Sequence, residues 1–456
     1  MTDGPTPSST DTRYRTAAYR LPGLQVEEFS VPVPLDHFGT GAGADLVAGT
    51  GGKGASGAGE VWELNVFARV VGEPGSTKPF LLYLQGGPGH EAFRPTKSEP
   101  AWLPRALEDY RVVMLDQRGT GRSGAIGEVA GRVTGVPAAL AQAPDSDAGV
   151  VALAEHLMHY RADAIVEDAE VVRKALSIDT WSVLGQSFGG FCTLRYLNEH
   201  PDSLAEAFFT GGLPAVDVPL SEVYSTTWNG MRGKSRDFAA RYPQTSPALR
   251  AASERAAAGD LVLPDGTVVT PAHIRSLGHY LGATGGAEKL VYLLENPVDS
   301  AAFRHDLQAA LPFGARNPLY AVVHESCWAN GGATQWAGAH AMPADFAEDP
   351  TLLSGEHIFP EFFASGPLAF WRDVADVLTE VEWPVLWEPA KLREAQVPVA
   401  AAAYYADAFV PLQYSEPTAA LLPQAQVWVT NEYEHNGLRA SGGHVIDHLI
   451  GLVRGS

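Results

Sequence analysis

Short runs of consecutive apolar residues, each followed by a turn and then by a helical pattern, recur through the first half of the chain. They cover residues 78–84, 111–115 and 181–184. Hydrophobic side chains at every position, rather than at alternate positions, are typical of strands that helices cover on both faces. This pattern predicts an α/β fold with a mostly parallel, doubly wound sheet.

Two earlier stretches, residues 26–34 and 60–71, alternate apolar and polar residues and predict an antiparallel pair of strands. The glycine-rich stretch 39–59 between them predicts a long loop. Residues 1–12 are rich in Ser, Thr, Pro and Asp and predict a loose tail. Because they lack a cationic segment followed by an apolar one, we do not expect them to be a secretory signal.

The regular alternation of strand and helix patterns continues to a predicted strand at 205–210 and then stops. It resumes with strand patterns at 398–405 and 426–430 and a closing helix at 443–453. A crossover between neighbouring parallel strands needs only about a dozen residues, so the intervening segment is far longer than a crossover requires. Its helical patterns and many aromatic residues predict an inserted, mainly helical lid.

The predicted organisation therefore has three parts. Residues 1–212 form the first part of the core, residues 213–396 form the lid, and residues 397–456 complete the core.

The composition and charge of the chain add to this picture only by excluding classes of partner and a membrane span. The chain has 32 Lys and Arg residues against 53 Asp and Glu, a net charge of −21 that repels phosphate backbones and anionic lipid headgroups. We therefore expect neither nucleic acid nor a membrane surface as a partner, and no apolar stretch reaches the roughly 18 residues of a membrane span. The two cysteines, Cys192 and Cys327, suit a reducing compartment, so a cytoplasmic location is expected. The oligomeric state stays open.

The first candidate for chemistry is the segment 185–189, Gly-Gln-Ser-Phe-Gly, which fits the G-x-S-x-G nucleophile elbow. It follows a predicted strand and precedes a helical pattern at 191–197, the position from which this turn lifts a serine hydroxyl clear of the sheet. Ser187 is the candidate nucleophile, and the N–H of Phe188 is a candidate oxyanion donor. The alternative is a chance tight turn with a solvated serine.

A nucleophilic serine needs an imidazole to take its proton and a carboxylate to hold that imidazole. The chain order expected on this fold is Ser, Asp, His. Asp407 follows the predicted strand 398–405, and His435 follows the predicted strand 426–430. Both therefore fall at the sheet edge that carries Ser187.

Each of these two assignments has an alternative. For Asp407 it is a role as a helix N-cap or a turn residue. For His435 the competitors are His444 and, one helical turn further, His448, which fall at or inside the closing helix. The loop position of His435 favours it over both.

A second oxyanion donor is expected in the segment 85–89, Gln-Gly-Gly-Pro-Gly, where Gly86 and Gly87 are the candidates. No metal is predicted, because His156 and His159 share a helical face without a third ligand at metal-site spacing. No cofactor is predicted either, because the glycines near residue 119 belong to no nucleotide-binding motif.

Three motifs taken together resemble the proline iminopeptidases (prolyl aminopeptidases) of the α/β-hydrolase superfamily. They lie at 85–89, at 116–123 (Asp-Gln-Arg-Gly-Thr-Gly-Arg-Ser) and at 185–190. The segments 405–407 and 431–439 are similar to the longer bacterial branch of that family, and the resemblance covers most of the chain from about residue 26. At its start, Gln85 stands where many members have histidine.

The resemblance implies an α/β-hydrolase fold with a lid and a serine exopeptidase that releases N-terminal proline from peptides through a prolyl ester. In this family lid glutamates hold the free N-terminal amine of the substrate. The best matches are Glu325 and Glu356, with a pair of solvated surface glutamates as the alternative. The alternative functions are a tripeptidyl aminopeptidase, an esterase or amidase that acts on a small molecule, and a non-catalytic binding scaffold.

Overall fold

The computed structural model describes residues 12–39 and 63–455. The predicted tail before residue 12 and nearly all of the predicted glycine-rich loop lie outside these residues. The described part of the chain forms eleven strands: β1 (Arg15–Leu21), β2 (Leu24–Pro34), β3 (Glu63–Gly72), β4 (Phe80–Leu84), β5 (Arg111–Leu115), β6 (Gly127–Val129), β7 (Arg132–Thr134), β8 (Trp181–Gln186), β9 (Leu204–Thr210), β10 (Val399–Tyr404) and β11 (Ala425–Thr430).

Nine of these strands form one sheet in the order β1-β2-β3-β5-β4-β8-β9-β10-β11. The pairs β1–β2, β2–β3 and β3–β5 are antiparallel. Every later neighbour, from β5 to β11, is parallel. The predicted α/β class and the predicted antiparallel opening pair are both confirmed, and β6 and β7 form a separate small hairpin.

The central parallel strands are buried because helices cover the sheet on both faces. Every residue of β4, β8 and β10 is buried, as their uninterrupted apolar sequences require. Outside the long insertion, the described residues before β10 form four α-helices: Leu103–Ala106, Asp147–Leu157, Ala162–Ala175 and Phe188–Glu199. Three more follow β10: Leu412–Ala419, Gly437–Ala440 and His444–Arg454.

All of the chain between β9 and β10 is described, and it contributes no strand to the sheet. Its ten α-helices are Leu220–Arg241, Thr245–Ala257, Pro271–Ser276, Gly286–Glu295, Ala301–Ala310, Pro318–Val322, Ala337–His340, Ala344–Glu348, Arg372–Thr379 and Pro389–Leu392. Two 3-10 helices, Leu277–Gly282 and Glu325–Cys327, carry residues discussed below. The exact division into core and lid stays a prediction.

The hydrophobic core has two parts, one on each face of the sheet. On one face, Trp102 and Tyr110 pack with Val445 and Leu449 of the last helix. The other face is larger and continues without a break into the insertion, where Trp228 and Trp371 are fully buried. Among the described residues, no helix is long and apolar enough to cross a membrane.

Candidate active site

The turn between β8 and the helix Phe188–Glu199 carries Ser187 in a strained conformation. Its φ of 55° lies in the left-handed region, which residues other than glycine seldom adopt. Its N–H donates to the carbonyl oxygen of Thr210 on β9, 3.1 Å away. A Cβ atom at Gly189 would overlap the carbonyl oxygen of Leu84, so the helix can start this close to the sheet only with glycine there.

Ser187, His435 and Asp407 form a continuous chain of hydrogen bonds. The Ser187 Oγ lies 2.8 Å from His435 Nε2, and His435 Nδ1 lies 2.7 Å from Asp407 Oδ2. The backbone N–H groups of Phe409 and Val410 donate to Asp407 Oδ1 at 2.9 and 3.0 Å. The carboxylate accepts hydrogen bonds only, so His435 donates from Nδ1 and its Nε2 is left to accept the serine proton.

The charge state of His435 depends on both of its acidic neighbours. Burial alone would lower the pKa of the imidazole, because it penalises the charged form. The hydrogen-bonded Asp407 and the charge of Glu356 outweigh that penalty and raise the pKa of His435 above its ordinary value.

The competing histidines lie elsewhere. His444 contacts Trp428 and the hydroxyl of Tyr433, and His448 packs against Trp428 with ring centroids 4.2 Å apart. Both belong to the closing helix, so among the predicted candidates the structure brings only His435 to the serine.

A glycine that the sequence analysis did not single out also belongs to this site. Gly211, directly after β9, has a φ of 54°. A Cβ atom there would lie 3.1 Å from His435 Nδ1 and 3.2 Å from Asp407 Oδ2. The backbone at Gly211 therefore passes close beside the imidazole of His435 and the carboxylate of Asp407. In the sequence, the Gly211-Gly212 pair at the end of a strand was the signal that could have indicated this close approach.

The predicted oxyanion segment lies against the nucleophile. A Cβ atom at Gly86 would lie 3.0 Å from the Ser187 Cβ, so this glycine permits the close approach. Gly87 has a φ of 128°, which also favours glycine. The side chain of Gln85 is engaged elsewhere, because its Oε1 accepts the Tyr83 hydroxyl at 2.7 Å. The oxyanion roles of Gly86, Gly87 and Phe188 stay predictions.

Glu356 belongs to a cluster of polar and aromatic side chains in the insertion. The Tyr320 hydroxyl donates to Glu356 Oε1 at 2.7 Å, and His279 Nε2 lies 3.6 Å from the same oxygen. Burial opposes ionisation of this carboxyl, but His279, His324 and His435 outweigh it and lower its pKa to about 2. Glu356 is therefore a carboxylate at neutral pH, with 15% of its side chain exposed.

Aromatic rings connect this cluster to the serine site along two routes. The Tyr320 ring contacts His90, just after the predicted oxyanion segment, at a centroid distance of 4.8 Å. The His279 ring stacks on Phe409 at 5.3 Å, and Phe409 contacts the catalytic candidate His435 at 5.2 Å. Sequence reasoning missed His279, Tyr320 and Phe409, because no motif or regular spacing joins them.

Glu325 has a different environment. Its oxygens accept hydrogen bonds from the N–H groups of Gly338 and Ala337, at 2.8 and 3.2 Å. Burial raises its pKa to about 7, and these hydrogen bonds only partly oppose the effect. It lines a small cavity with Trp336 and Trp383. The hydrogen bonds found for its carboxylate in the described chain are all to the insertion itself, so the structure does not pair Glu325 with Glu356.

His156 and His159, the two histidines on one helical face, were considered as metal ligands in the sequence, and His156 has a polar neighbour on its own stretch of chain. His156 Nε2 lies 3.0 Å from the Tyr160 hydroxyl. Across residues 12–39 and 63–455, no group of three or more His, Cys, Asp or Glu side chains is placed to hold a metal ion.

Comparison with known proteins gives the family. Residues 79–438 match the model of the alpha/beta hydrolase fold. A proline iminopeptidase from Aeromonas sobria is 40% identical over 393 residues, which cover 82% of this chain and 88% of that protein. A proline iminopeptidase from Aspergillus aculeatus is 31% identical over 85% of this chain and 89% of its own length. This chain therefore belongs to the proline iminopeptidase family of α/β-hydrolases.

Proposed function

We propose that this protein is a serine exopeptidase that releases proline from the free N-terminus of peptides, with Ser187, His435 and Asp407 as its catalytic triad. The observation that carries the proposal is the hydrogen-bond chain of 2.8 and 2.7 Å through these residues. The names of the relatives from A. sobria and A. aculeatus support proline as the residue released.

The geometry supports a two-step mechanism. His435 Nε2 takes the Ser187 proton as the hydroxyl oxygen attacks the carbonyl carbon of the first residue, and Asp407 stabilises the imidazolium that forms. Backbone N–H groups of Phe188 and of the Gly86–Gly87 segment hold the oxyanion. His435 then gives its proton to the leaving amine, and a water molecule activated by the same imidazole hydrolyses the prolyl ester.

Glu356 supplies the selectivity for a free amine. Within residues 12–39 and 63–455, the close contacts found for its carboxylate, from Tyr320 and His279, are both made to Oε1. Oε2 is therefore the oxygen available to a substrate ammonium, and a charge-assisted hydrogen bond there would align the first peptide bond with Ser187. Glu325, which holds the two N–H groups of Ala337 and Gly338, has a positioning role in the insertion instead.

Hydrolysis of a panel of fluorogenic amides tests the proposal. The panel contains prolyl, alanyl, leucyl and N-acetylprolyl amides, and Ser98→Ala, at an exposed serine, is the matched control for Ser187→Ala. We expect cleavage of the prolyl amide that disappears in Ser187→Ala and with the N-acetylprolyl amide, but not in Ser98→Ala. Equal cleavage of the N-acetylated substrate would contradict the amine requirement and favour an esterase or amidase.

The role of Glu356 has its own test. Glu356→Gln keeps the shape of the side chain and removes its charge, so KM for the prolyl amide should rise about 10- to 100-fold, the effect of losing one hydrogen bond to a charged group. The exposed Glu348 provides the control Glu348→Gln. An unchanged KM in Glu356→Gln would remove Glu356 from the binding site.

A further inference from the structure

The insertion binds the loop of His435 on both sides of that residue. Thr284 lies two residues after the 3-10 helix Leu277–Gly282. Its Oγ1 accepts the N–H of Glu434 at 3.2 Å, and its own N–H donates to Asn436 Oδ1 at 2.8 Å. Glu434 and Asn436 come directly before and directly after His435. One residue of the insertion therefore holds both neighbours of the proposed base.

An ion pair from a second element of the insertion holds the same loop. Lys234 Nζ, on the helix Leu220–Arg241, lies 2.5 Å from Glu434 Oε2. Only 12% of the Lys234 side chain and 34% of the Glu434 side chain are exposed. Salt screens such a partly buried pair less than it screens an exposed one. The loop is thus held by two separate parts of the insertion.

The segment 282–284 also packs against the loop that carries Asp407. A Cβ atom at Gly282 would lie 2.2 Å from the ring of Phe409, so glycine permits the close approach. The Phe409 N–H donates to Asp407 Oδ1 at 2.9 Å, and its ring contacts His435 at a centroid distance of 5.2 Å. This segment therefore contacts both of the loops that supply partners to the serine.

The internal hydrogen bonds of the His435 loop do not fix its distance from the serine. The Gly437 N–H donates to the carbonyl oxygen of Glu434 at 3.0 Å, within the loop itself. Ser187 lies after β8, whereas the loop follows β11, and two strands of the sheet separate them. The separation of 2.8 Å between Ser187 Oγ and His435 Nε2 therefore depends on contacts from outside the loop. Asp407 supplies one of these contacts, and the insertion supplies those described above.

We propose that Thr284 and Lys234 are positioning residues that hold the loop of His435 at the distance from Ser187 that proton transfer requires. The insertion then sets the geometry of the triad in addition to carrying Glu356. This inference rests on the triad of the proposed function but not on the substrate assigned to it. A misplacement of about 1 Å in an active site can lower the rate about 100-fold, so the loss of both contacts should slow the chemical step.

Reaction with a fluorophosphonate tests the triad without a peptide substrate. Ser187 Oγ bonds to phosphorus, fluoride leaves, and His435 takes the hydroxyl proton. We expect the rate constant to fall about 10- to 100-fold in Thr284→Val/Lys234→Met, which keeps the branched shape of residue 284 but removes its hydroxyl and the ion pair. On the prolyl amide, kcat should fall by a similar factor, while KM changes less than about threefold because Glu356 is untouched.

Two further variants distinguish positioning from a general loss of structure. Thr284→Ser/Lys234→Arg keeps the hydroxyl and the charge, so it should recover most of the wild-type rate. Lys289→Met, at an exposed lysine of the insertion, is the matched control and should keep the wild-type rate. If circular dichroism shows that the Val/Met variant does not fold, Thr284→Val alone should slow labelling about three- to tenfold, the effect of one lost hydrogen bond.

The labelling rates separate failure of this inference from failure of the proposed function. Equal rate constants in the wild type and in a folded Thr284→Val/Lys234→Met protein would overturn this inference alone. Absence of labelling in the wild-type protein would overturn the triad, and this inference with it.

Discussion

Asp407 uses both of its carboxylate oxygens, and each does a different task. Oδ1 is held by the N–H groups of Phe409 and Val410, while Oδ2 accepts the Nδ1–H of His435. The two backbone hydrogen bonds thus hold the carboxylate in the orientation in which Oδ2 can orient the imidazole of His435. Asp407 was predictable because it lies two residues beyond the end of the predicted strand 398–405. Its hydrogen bonds from the N–H groups of the residues that follow it were not predictable.

Asp407→Asn should lower kcat by about 10³- to 10⁴-fold with a much smaller change in KM. The amide cannot replace both acceptors, so His435 loses the tautomer that leaves Nε2 free to take the serine proton. Steady-state kinetics on the prolyl amide measure the effect, and circular dichroism shows whether the fold is retained. A loss of less than tenfold in a folded variant would assign the carboxylate role to another residue.

The raised pKa of Glu325 predicts that the stability of the folded protein depends on pH. Its folded pKa of about 7 lies above the ordinary glutamate value, so the fold prefers the protonated form. Ionisation therefore costs nothing below about pH 4, and the cost grows as the pH rises to 7. It reaches about 3 kcal/mol above pH 7, the value of a shift between these limits.

Glu325→Gln removes this cost because the amide does not ionise. Between pH 5 and pH 8, thermal unfolding of the wild-type protein should show a falling Tm, and the variant should show a smaller fall. The comparison uses the change with pH rather than the absolute Tm, because glutamine offers one acceptor oxygen where the carboxylate offers two. Equal slopes in the two proteins would show that Glu325 is already ionised in the folded state well below pH 7.

At the scale of elements, strands with uninterrupted apolar sequences were predictable because burial on both faces leaves a strong local signal. Thus β4, β5 and β8 agree with their predicted positions to within two residues. The edge strand β1 was missed because most of its residues are exposed. Hydrogen bonding to β2 holds this segment as a strand, although its own sequence does not indicate one.

The same distinction explains which parts of the site were predictable. Ser187, Asp407 and His435 follow strands of a single sheet, so knowing the strands places them at one edge. His279, Tyr320 and Glu356 come from separate turns and short helices of the insertion. Only tertiary packing brings them together, and no spacing along the chain encodes that packing.

The turn that carries Ser187 provides a prediction about how the helix after it packs against the sheet. Gly189→Ala should lower stability by about 3 kcal/mol, because the added methyl group overlaps the carbonyl oxygen of Leu84 on β4. Gly233 is the matched control, since it lies inside the helix Leu220–Arg241 with open space around its Cβ position. Gly233→Ala should raise stability by about 0.5–1 kcal/mol through helix propensity. Thermal melts of the two variants that shift in the same direction would contradict the packing argument.

Considered as a whole, the molecule depends on contacts that join the insertion to the sheet-bearing part of the chain. The clearest is Arg161, which is fully buried at the start of the helix Ala162–Ala175. Its guanidinium donates to the carbonyl oxygens of Ser326, Pro384 and Ala329. These hydrogen bonds satisfy the buried charge and fix the segment that carries Glu325 relative to the triad. His324 of the same segment lies 3.1 Å from the backbone oxygen of Glu356. The serine site and the carboxylate proposed to bind the amine are therefore held in one arrangement although they come from distant parts of the chain.

This arrangement predicts that a residue of the insertion sets the pH range of the triad. His435 must be neutral to act as a base, and the charges of Asp407 and Glu356 raise its pKa. Activity should thus be lost as the pH falls through a value above 6.5, the ordinary value for histidine. In Glu356→Gln one of the two negative charges is gone, so the acid limb of kcat/KM should move to lower pH while KM rises.

The substrate itself provides a second readout of the same coupling. Its ammonium offsets the charge of Glu356, so the acid limb of kcat, which reports the substrate-bound enzyme, should lie at lower pH than that of kcat/KM. Profiles of both constants from pH 5 to pH 9 for the wild type, Glu356→Gln and Glu348→Gln measure these shifts. If Glu356→Gln kept the wild-type acid limb, Asp407 alone would account for the raised pKa of His435, and the insertion would act on the substrate without acting on the base.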